Sequence, residues 1–408
     1  MTYFTHVELA ERYRISESTV RNWVKMAKDG KLSLTLHKEG SRSYVANAPS
    51  NIPVIENLVK SNKKYRNRLS SKTITPKPSF YKTFTEKQIY EIVRSLEAHH
   101  EIPRQYNYFD GGASEWDVYT RRLSREHTPN LLNRTVKLLA DNQSYLDQLL
   151  FKYKYVNVLD IGPGNALPVK DFLNHLLQQK KLGRYIAIDI SSEMLQIAKQ
   201  NIKEWFHGKV AFEEHKLDIT YERFGDILVK DYSTKDAKDT CNLVLFLGGT
   251  ADNLRNPDAA FWTIHESMNA DDILIYTDKL ETEEMRPQWF EYNVKPGKLS
   301  LAPMHRLVFD MLSIDDSLYD VEMGFNKKLG QHYTLARLKV ALNLKFKFKY
   351  GERIIALEKG DTILLWRSWQ ITAQNFMEQF EHSEFYVAHT SQTDDHRYVM
   401  AVAQIQCD

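Results

Sequence analysis

The stretch LDIGPG at residues 159–164 decides the fold. Its apolar approach, Val156 to Asp160, reads as a strand buried on both faces, and two glycines follow the acidic end at once. Gly162 and Gly164 let the backbone come close to a ligand, because a side chain there would collide with it. The turn opens into a helix carrying Val169, Phe172 and Leu173 at helical spacing. About one strand-helix unit later, YIAIDISSEML at 185–195 supplies a second strand ending in Asp189, where a carboxylate can accept both hydroxyls of a ribose. The pair predicts a nucleoside-containing ligand.

Further strands are predicted at Cys241 to Gly248 and Asp272 to Thr277, with an edge strand near Val210 to Phe212. Amphipathic segments at Val169 to Leu177 and Glu193 to Trp205 lie between them, so the region is an α/β domain with a parallel sheet and crossover helices. A helix at Thr372 to Phe380 and an antiparallel pair, Phe385 to Thr390 with Tyr398 to Gln406, close the sheet. The predicted division is a helical lead-in at 83–150, a Rossmann-like core at 151–278 and 371–408, and an α+β insertion at 279–370.

The 408 residues suffice for two or three domains, and 42 % hydrophobic content can bury a large core. Two cysteines, Cys241 and Cys407, without CxxC spacing exclude a disulfide framework or a cysteine zinc site, so no metal is expected and the setting reads as cytoplasmic. The start MTYFTHVELAERY has no secretory pattern, and no apolar run approaches the roughly 20 residues of a bilayer span, so no membrane is expected. The net charge of +2 hides an asymmetry: residues 1–82 hold 16 basic and 6 acidic side chains, leaving the remainder acidic.

That basic start reads as a small winged helix-turn-helix at 1–48. A first helix carries Val7, Leu9, Ala10 and Tyr13, Ser16 caps a second with Val20 and Trp23 inward, and Leu32 to Val45 alternates as a hairpin wing. Ser18, Thr19, Arg21, Asn22 and Lys25 then face outward, with Arg42 on the wing, as candidate DNA contacts. The module resembles the excisionase and MerR-like family, in which the second helix enters the major groove. Such proteins are often dimers, so a homodimer is a possible state. Residues 49–82, with four prolines and the cluster Lys60, Lys63, Lys64, Arg66 and Arg68, read as a basic linker.

No third glycine follows the loop at 162–164 to pack the helix for a pyrophosphate, as a dinucleotide requires. Asp218, in KLDIT after the third strand, can accept from an adenine amino group. The ordered set Asp160, Gly162, Gly164, Asp189 and Asp218 resembles class I methyltransferases, which implies S-adenosyl-L-methionine as cofactor. Two further stretches narrow the likeness: FLGGTADNL at 246–254 and the lead-in YFDGGASEWDVYTRRL at 108–123. With LDIGPG they resemble the histidine-specific methyltransferase family, over about residues 105–408.

That resemblance implies a substrate cap inserted after the fifth strand. It implies that Phe109, Lys170 and Ile219 join the cofactor residues, and that Gly248 and Asn253 serve the acceptor's amino and carboxylate end as catalytic positions. It further implies His127, Phe290 or Tyr292, Trp366 and Ser368 as acceptor contacts. Departures matter here: a tryptophan stands where the family presents a glutamate to the imidazole, and an indole cannot accept a hydrogen bond. The expected acceptor is therefore an amino acid or related small amine other than, or besides, histidine. The competing readings are a DNA-binding regulator that uses the fold as a ligand sensor, and a nucleic-acid methyltransferase. The absence of NPPY-type or paired-cysteine motifs argues against the latter.

Overall fold

A computed structural model describes residues 3–13, 15–40, 42–61, 71–229, 238–281, 300–301 and 303–406. The chain forms two compact units, the first comprising 1–75, 317–319 and 338–361, the second the remainder.

In the first unit, strand β1 (Tyr3–Phe4) precedes helices His6–Tyr13 and Glu17–Lys28, then β2 (Leu36–Glu39) and β3 (Arg42–Ala46), which pair in the order β1-β3-β2. Ser16 caps the second helix by accepting from the Thr19 amide. Val20, Trp23 and Val24 pack with Leu9, Ile15 and Val45 in one small core. Residues 51–61, expected to be linker, are instead a helix, and Ile55 and Val59 complete that core. Asn51 explains the docking: buried, it bonds the backbone of Thr35 at both N–H and C=O and the carbonyl of Ala46. The prolines and lysines of 49–82 obscured this short apolar period. The cluster at 63–68 lies outside the described residues. Strand β4 (Lys72–Ile74) follows.

The second unit holds β5 (Tyr155–Ile161), β6 (Leu182–Asp189), β7 (Phe212–Lys216), β8 (Thr240–Phe246) and β9 (Ile273–Lys279). Their order, with β15 and β16 below, is β15-β16-β9-β8-β5-β6-β7, and β5 to β9 are parallel. The edge strand starts two residues later than predicted, because its polar FEEHK alternates along an open edge. The period of two sends alternate residues to opposite faces. Leu243 and Leu245 join Phe172, Leu173 and Ile202 on one side, while Val244 and Phe246 join Phe261, Phe376 and Phe380 on the other.

Beyond β9 come β10 (Tyr319–Asn326), β11 (Gln331–Leu338), β12 (Leu342–Phe348), β13 (Gly351–Leu357) and β14 (Thr362–Trp369). The predicted insertion at 279–370 does not stay together. Strands β10, β11 and β14 form a three-stranded sheet of the second unit, whereas the β12–β13 hairpin belongs to the first, with β12 parallel to β4. A strand edge needs a partner for its N–H and C=O groups, and β12 finds one about 270 residues upstream in the register Leu342 with Lys72. The closing hairpin is β15 (Phe385–Gln392) with β16 (Tyr398–Ile405), and β16 runs antiparallel to β9. Among the described residues no helix is long and apolar enough to cross a membrane.

Phe380 sits with no exposure among Phe261, Tyr276, Phe376 and Phe385, with ring centroids 5.4–6.2 Å away. Phe380→Ala is expected to lower stability by about 3–5 kcal/mol, measured as an earlier urea midpoint. An unchanged midpoint would contradict this layer as core.

Candidate functional site

Within the second unit, a cavity of about 1700 Å³ opens beyond the carboxyl ends of the parallel strands. It lies where chain order reverses at β5, with β6 on one side and β8 on the other, the place where open α/β sheets bind ligands. That volume exceeds the roughly 300–1,000 Å³ of a single small-ligand site, so two molecules can share it.

The glycine turn lines the cavity. Gly162 and Gly164 have φ of +64° and +58°, which L side chains rarely adopt, and a Cβ on Gly162 would lie 3.0 Å from the Thr250 side chain. Asp160 does not line the cavity; it lies beneath the turn and accepts a 2.7 Å hydrogen bond from the Tyr185 hydroxyl. Burial pushes its carboxyl up to about 7, with the Tyr185 bond opposing. Its placement is that of a support, not a ligand contact.

Asp189 lines the cavity and accepts from the Ser191 amide at 2.8 Å. Burial pushes it up to about 6, against the backbone N–H groups of Ser191 and Ile190. A carboxylate served by backbone amides, beside a turn without side chains, fits the diol of a nucleoside. Asp218 and Ile219 complete this end, with the Asp218 carboxylate accepting from the Thr220 amide at 3.0 Å.

Two predicted cofactor residues are elsewhere. Phe109 packs 5.4 Å from Phe84 and 6.1 Å from Tyr106 with Lys216 over its ring, while its neighbour Tyr108 lines the cavity. The 3₁₀ turn Arg104–Tyr108 sets which aromatic faces in, and no local period encodes it. Lys170 lies over the Trp205 ring at 5.0 Å and is not a cavity residue.

At the other end stand Gly248, Asn253, Trp366 and Ser368, which line the same cavity. Gly248, at φ +68°, donates its N–H to Thr277 Oγ1 at 3.0 Å. The Asn253 amide donates to the Gly249 carbonyl and its oxygen accepts from the Trp366 indole at 2.9 Å. Ser368 donates to Asp252 at 2.7 Å, and the Trp369 indole donates to the Leu254 carbonyl at 2.8 Å. With the Trp369 amide donating to the Asp252 carbonyl at 2.9 Å, four bonds stitch 252–254 to β14. His127 is exposed and away from the cavity, and Asn130 and Leu131, at the next helix start, line it instead. Phe290 and Tyr292 lie outside the described residues.

Sequence reasoning missed a charged cluster here. Burial pushes Asp252 up to about 6, with the Ser368 bond opposing. Burial likewise pushes Asp278 well above the carboxylate range, and the charge of Asp252 adds to it. Glu281 bonds Lys279 at 3.1 Å and His332 at 2.8 Å. Burial raises it, but His332 and Lys279 outweigh this and hold it below its usual range. Asp252 stands inside the motif FLGGTADNL, and Lys279 and Glu281 sit at the end of β9, where a search was possible; nothing local marks His332. Among the described residues, no group of three or more His, Cys, Asp and Glu is placed to hold a metal ion.

Comparison with known proteins returns one family, described as histidine-specific methyltransferase, SAM-dependent, matching residues 88–405. No curated protein matches. Among solved structures, an S-adenosylmethionine-dependent methyltransferase from Clostridium acetobutylicum is 10 % identical, with 72 % of this chain and 99 % of that one covered and a TM-score of 0.41. The glycopeptide N-methyltransferase MtfA, solved with S-adenosylmethionine, is 11 % identical over 65 % and 92 %, with a TM-score of 0.33. The mitomycin 7-O-methyltransferase MmcR is 12 % identical over 99 % and 88 %, with a TM-score of 0.36. The family match, which spans more than three quarters of the sequence, assigns the chain: it belongs to the SAM-dependent histidine-specific methyltransferase family.

Proposed function

We propose that this methyltransferase N-methylates an amino acid or a related small amine, with a preference other than histidine. One observation carries the reading. The indole of Trp366 stands where the family resemblance places a carboxylate for the imidazole, and its N–H is spent on Asn253. An indole N–H only donates, so it cannot take the proton an imidazole offers. Ser368, the second such position, is engaged by Asp252.

The donor, when bound, supplies an electrophilic methyl on a sulfonium. The chain's task is to hold the acceptor nitrogen in line at near-attack distance and keep water out. Asp189, Asp218 and the glycine turn grip the nucleoside end, while Gly248 and Asn253 orient the acceptor. The carboxylates of Asp252 and Glu281 at that end favour an amine over an anion as the group entering there.

We also propose that the first unit is a winged helix-turn-helix that binds nucleic acid. Helix Glu17–Lys28 exposes Ser18, Arg21, Asn22 and Lys25, with Thr19 half-buried and Arg21 tied to Glu17 at 2.7 Å. Arg42 stands in β3, on the wing. The β12–β13 hairpin adds Lys345, Lys347, Lys349 and Arg353 to the same unit, increasing its positive charge.

Three outcomes are expected. S-adenosylhomocysteine affinity, measured calorimetrically, should be level above pH 7 and fall about tenfold at pH 5, because a proton on Asp189 displaces the ribose bonds. Asp189→Asn should bind weakly with a flat profile, whereas an unchanged slope would remove Asp189 from the site. Asn253→Ala should reduce kcat/KM by about 100-fold with S-adenosylhomocysteine affinity within about twofold, assayed over a pool of free amino acids with labelled donor; a pool in which histidine is the best acceptor would sink the proposed preference. On duplex DNA, Arg21→Ala with Lys25→Ala should flatten the salt dependence by about two counterions. Wild-type protein that shifts no DNA at low salt contradicts the nucleic-acid role.

A further inference from the structure

Arg104 lines the cavity, yet nothing assigned so far uses it. Its Nε donates to the Tyr108 hydroxyl at 3.2 Å, and its guanidinium lies 5.7 Å from the Trp116 ring centroid. Nη1 is buried without a hydrogen-bond partner, and among the described residues no carboxylate lies within salt-bridge distance of Arg104. Other cations near the cavity are neutralised differently: Lys279 faces Glu281, and Arg367 is paired with Glu101. A buried N–H of a guanidinium left unpaired is costly.

The guanidinium is also held still. Its segment is pinned on one side by the Ile102 amide bonding the Leu364 carbonyl at 3.0 Å. On the other side Ser191 donates to the Tyr108 carbonyl at 3.2 Å, and Glu193 accepts from the amides of Asp110 and Gly111. Trp116 connects it to the donor loop, since its indole nitrogen lies 3.5 Å from where a Cβ on Gly164 would stand. His305, also in the cavity wall, has its pKa lowered to about 4 by burial and by the charge of Arg104. A neutral imidazole there leaves Arg104 as the positive group facing that part of the cavity.

We propose that Arg104, braced by Tyr108 and Trp116, is a carboxylate anchor beside the methyl-transfer centre. A guanidinium in the cavity wall with no carboxylate among the described residues in bonding distance attracts a carboxylate, and its bracing by the Tyr108 hydroxyl and the Trp116 ring is one a lysine cannot reproduce. Two carboxylates can reach such a place, that of the donor's amino-acid moiety and that of an amino-acid acceptor. The inference needs the donor site of the family but not the acceptor preference proposed above.

Calorimetry with S-adenosylhomocysteine and with 5′-methylthioadenosine, which lacks the amino-acid carboxylate, separates the sources. If the donor is read, Arg104→Gln weakens S-adenosylhomocysteine at least about tenfold and leaves 5′-methylthioadenosine within about twofold. If the acceptor is read, both nucleosides bind as before. The melting-temperature gain of the S-adenosylhomocysteine-saturated protein with free L-amino acids, absent with their amides, is then lost in the variant. Arg104→Lys, which keeps the charge without the fork, carries the test should the glutamine variant fail to fold, and should show the same loss at least about fivefold. Variants that match wild type for both nucleosides and for every amino-acid and amide pair overturn the assignment. So does a parallel loss of both nucleosides, which marks a collapsed site.

Discussion

A hydrogen bond of 2.7 Å between Tyr185 and Asp160, shut away from solvent, ties the end of β5 to β6 beneath the glycine turn. A buried carboxylate without a partner is costly, so this bond makes the acidic end of the strand tolerable where it stands. The turn above it must then leave the sheet at positive φ twice within three residues, which only glycine does at little steric cost. Asp189, on the neighbouring strand, takes its position from the same pairing, with Ile161 opposite Ile188. This end of the cavity is thus a consequence of two adjacent parallel strands and what joins their tips.

The opposite end of the cavity is built differently. It depends on hydrogen bonds between the loop after β8 and strand β14, with the side chains of Trp366, Ser368 and Trp369 each bonding one residue of 252–254 and the Trp369 amide bonding the Asp252 carbonyl. A change in one strand of that small sheet alters what faces this end of the cavity and leaves the glycine turn and Asp189 alone. Asp252, Asp278 and Glu281 gather around Lys279 in a space partly closed to water, where their interactions are stronger than at a surface.

The first unit shows how a chain can return to an earlier part of itself. Strand β4 is only three residues long and cannot stand alone, and β12 and β13 emerge from the middle of the region that also builds the cavity sheet. Pairing β12 with β4 satisfies both edges and commits the hairpin to the basic unit.

Local chemistry in the sequence determined the parallel sheet, the glycine turn, the cap at Ser16 and the acidic strand end at Asp189. Each rests on a short period, a residue type or a loop at a strand end, and these are readable within about ten positions. Only the tertiary structure decided that Tyr108 and not Phe109 faces the cavity, that Lys170 and His127 lie outside it, that 51–61 is helix, and that β12 leaves the insertion for β4. Only it set His332 against Glu281, 51 residues apart, and left Arg104 Nη1 buried without a hydrogen-bond partner. The physical reason is common to all of these: which side of a turn faces inward, and which distant group satisfies a buried donor or strand edge, depends on partners that no local period specifies.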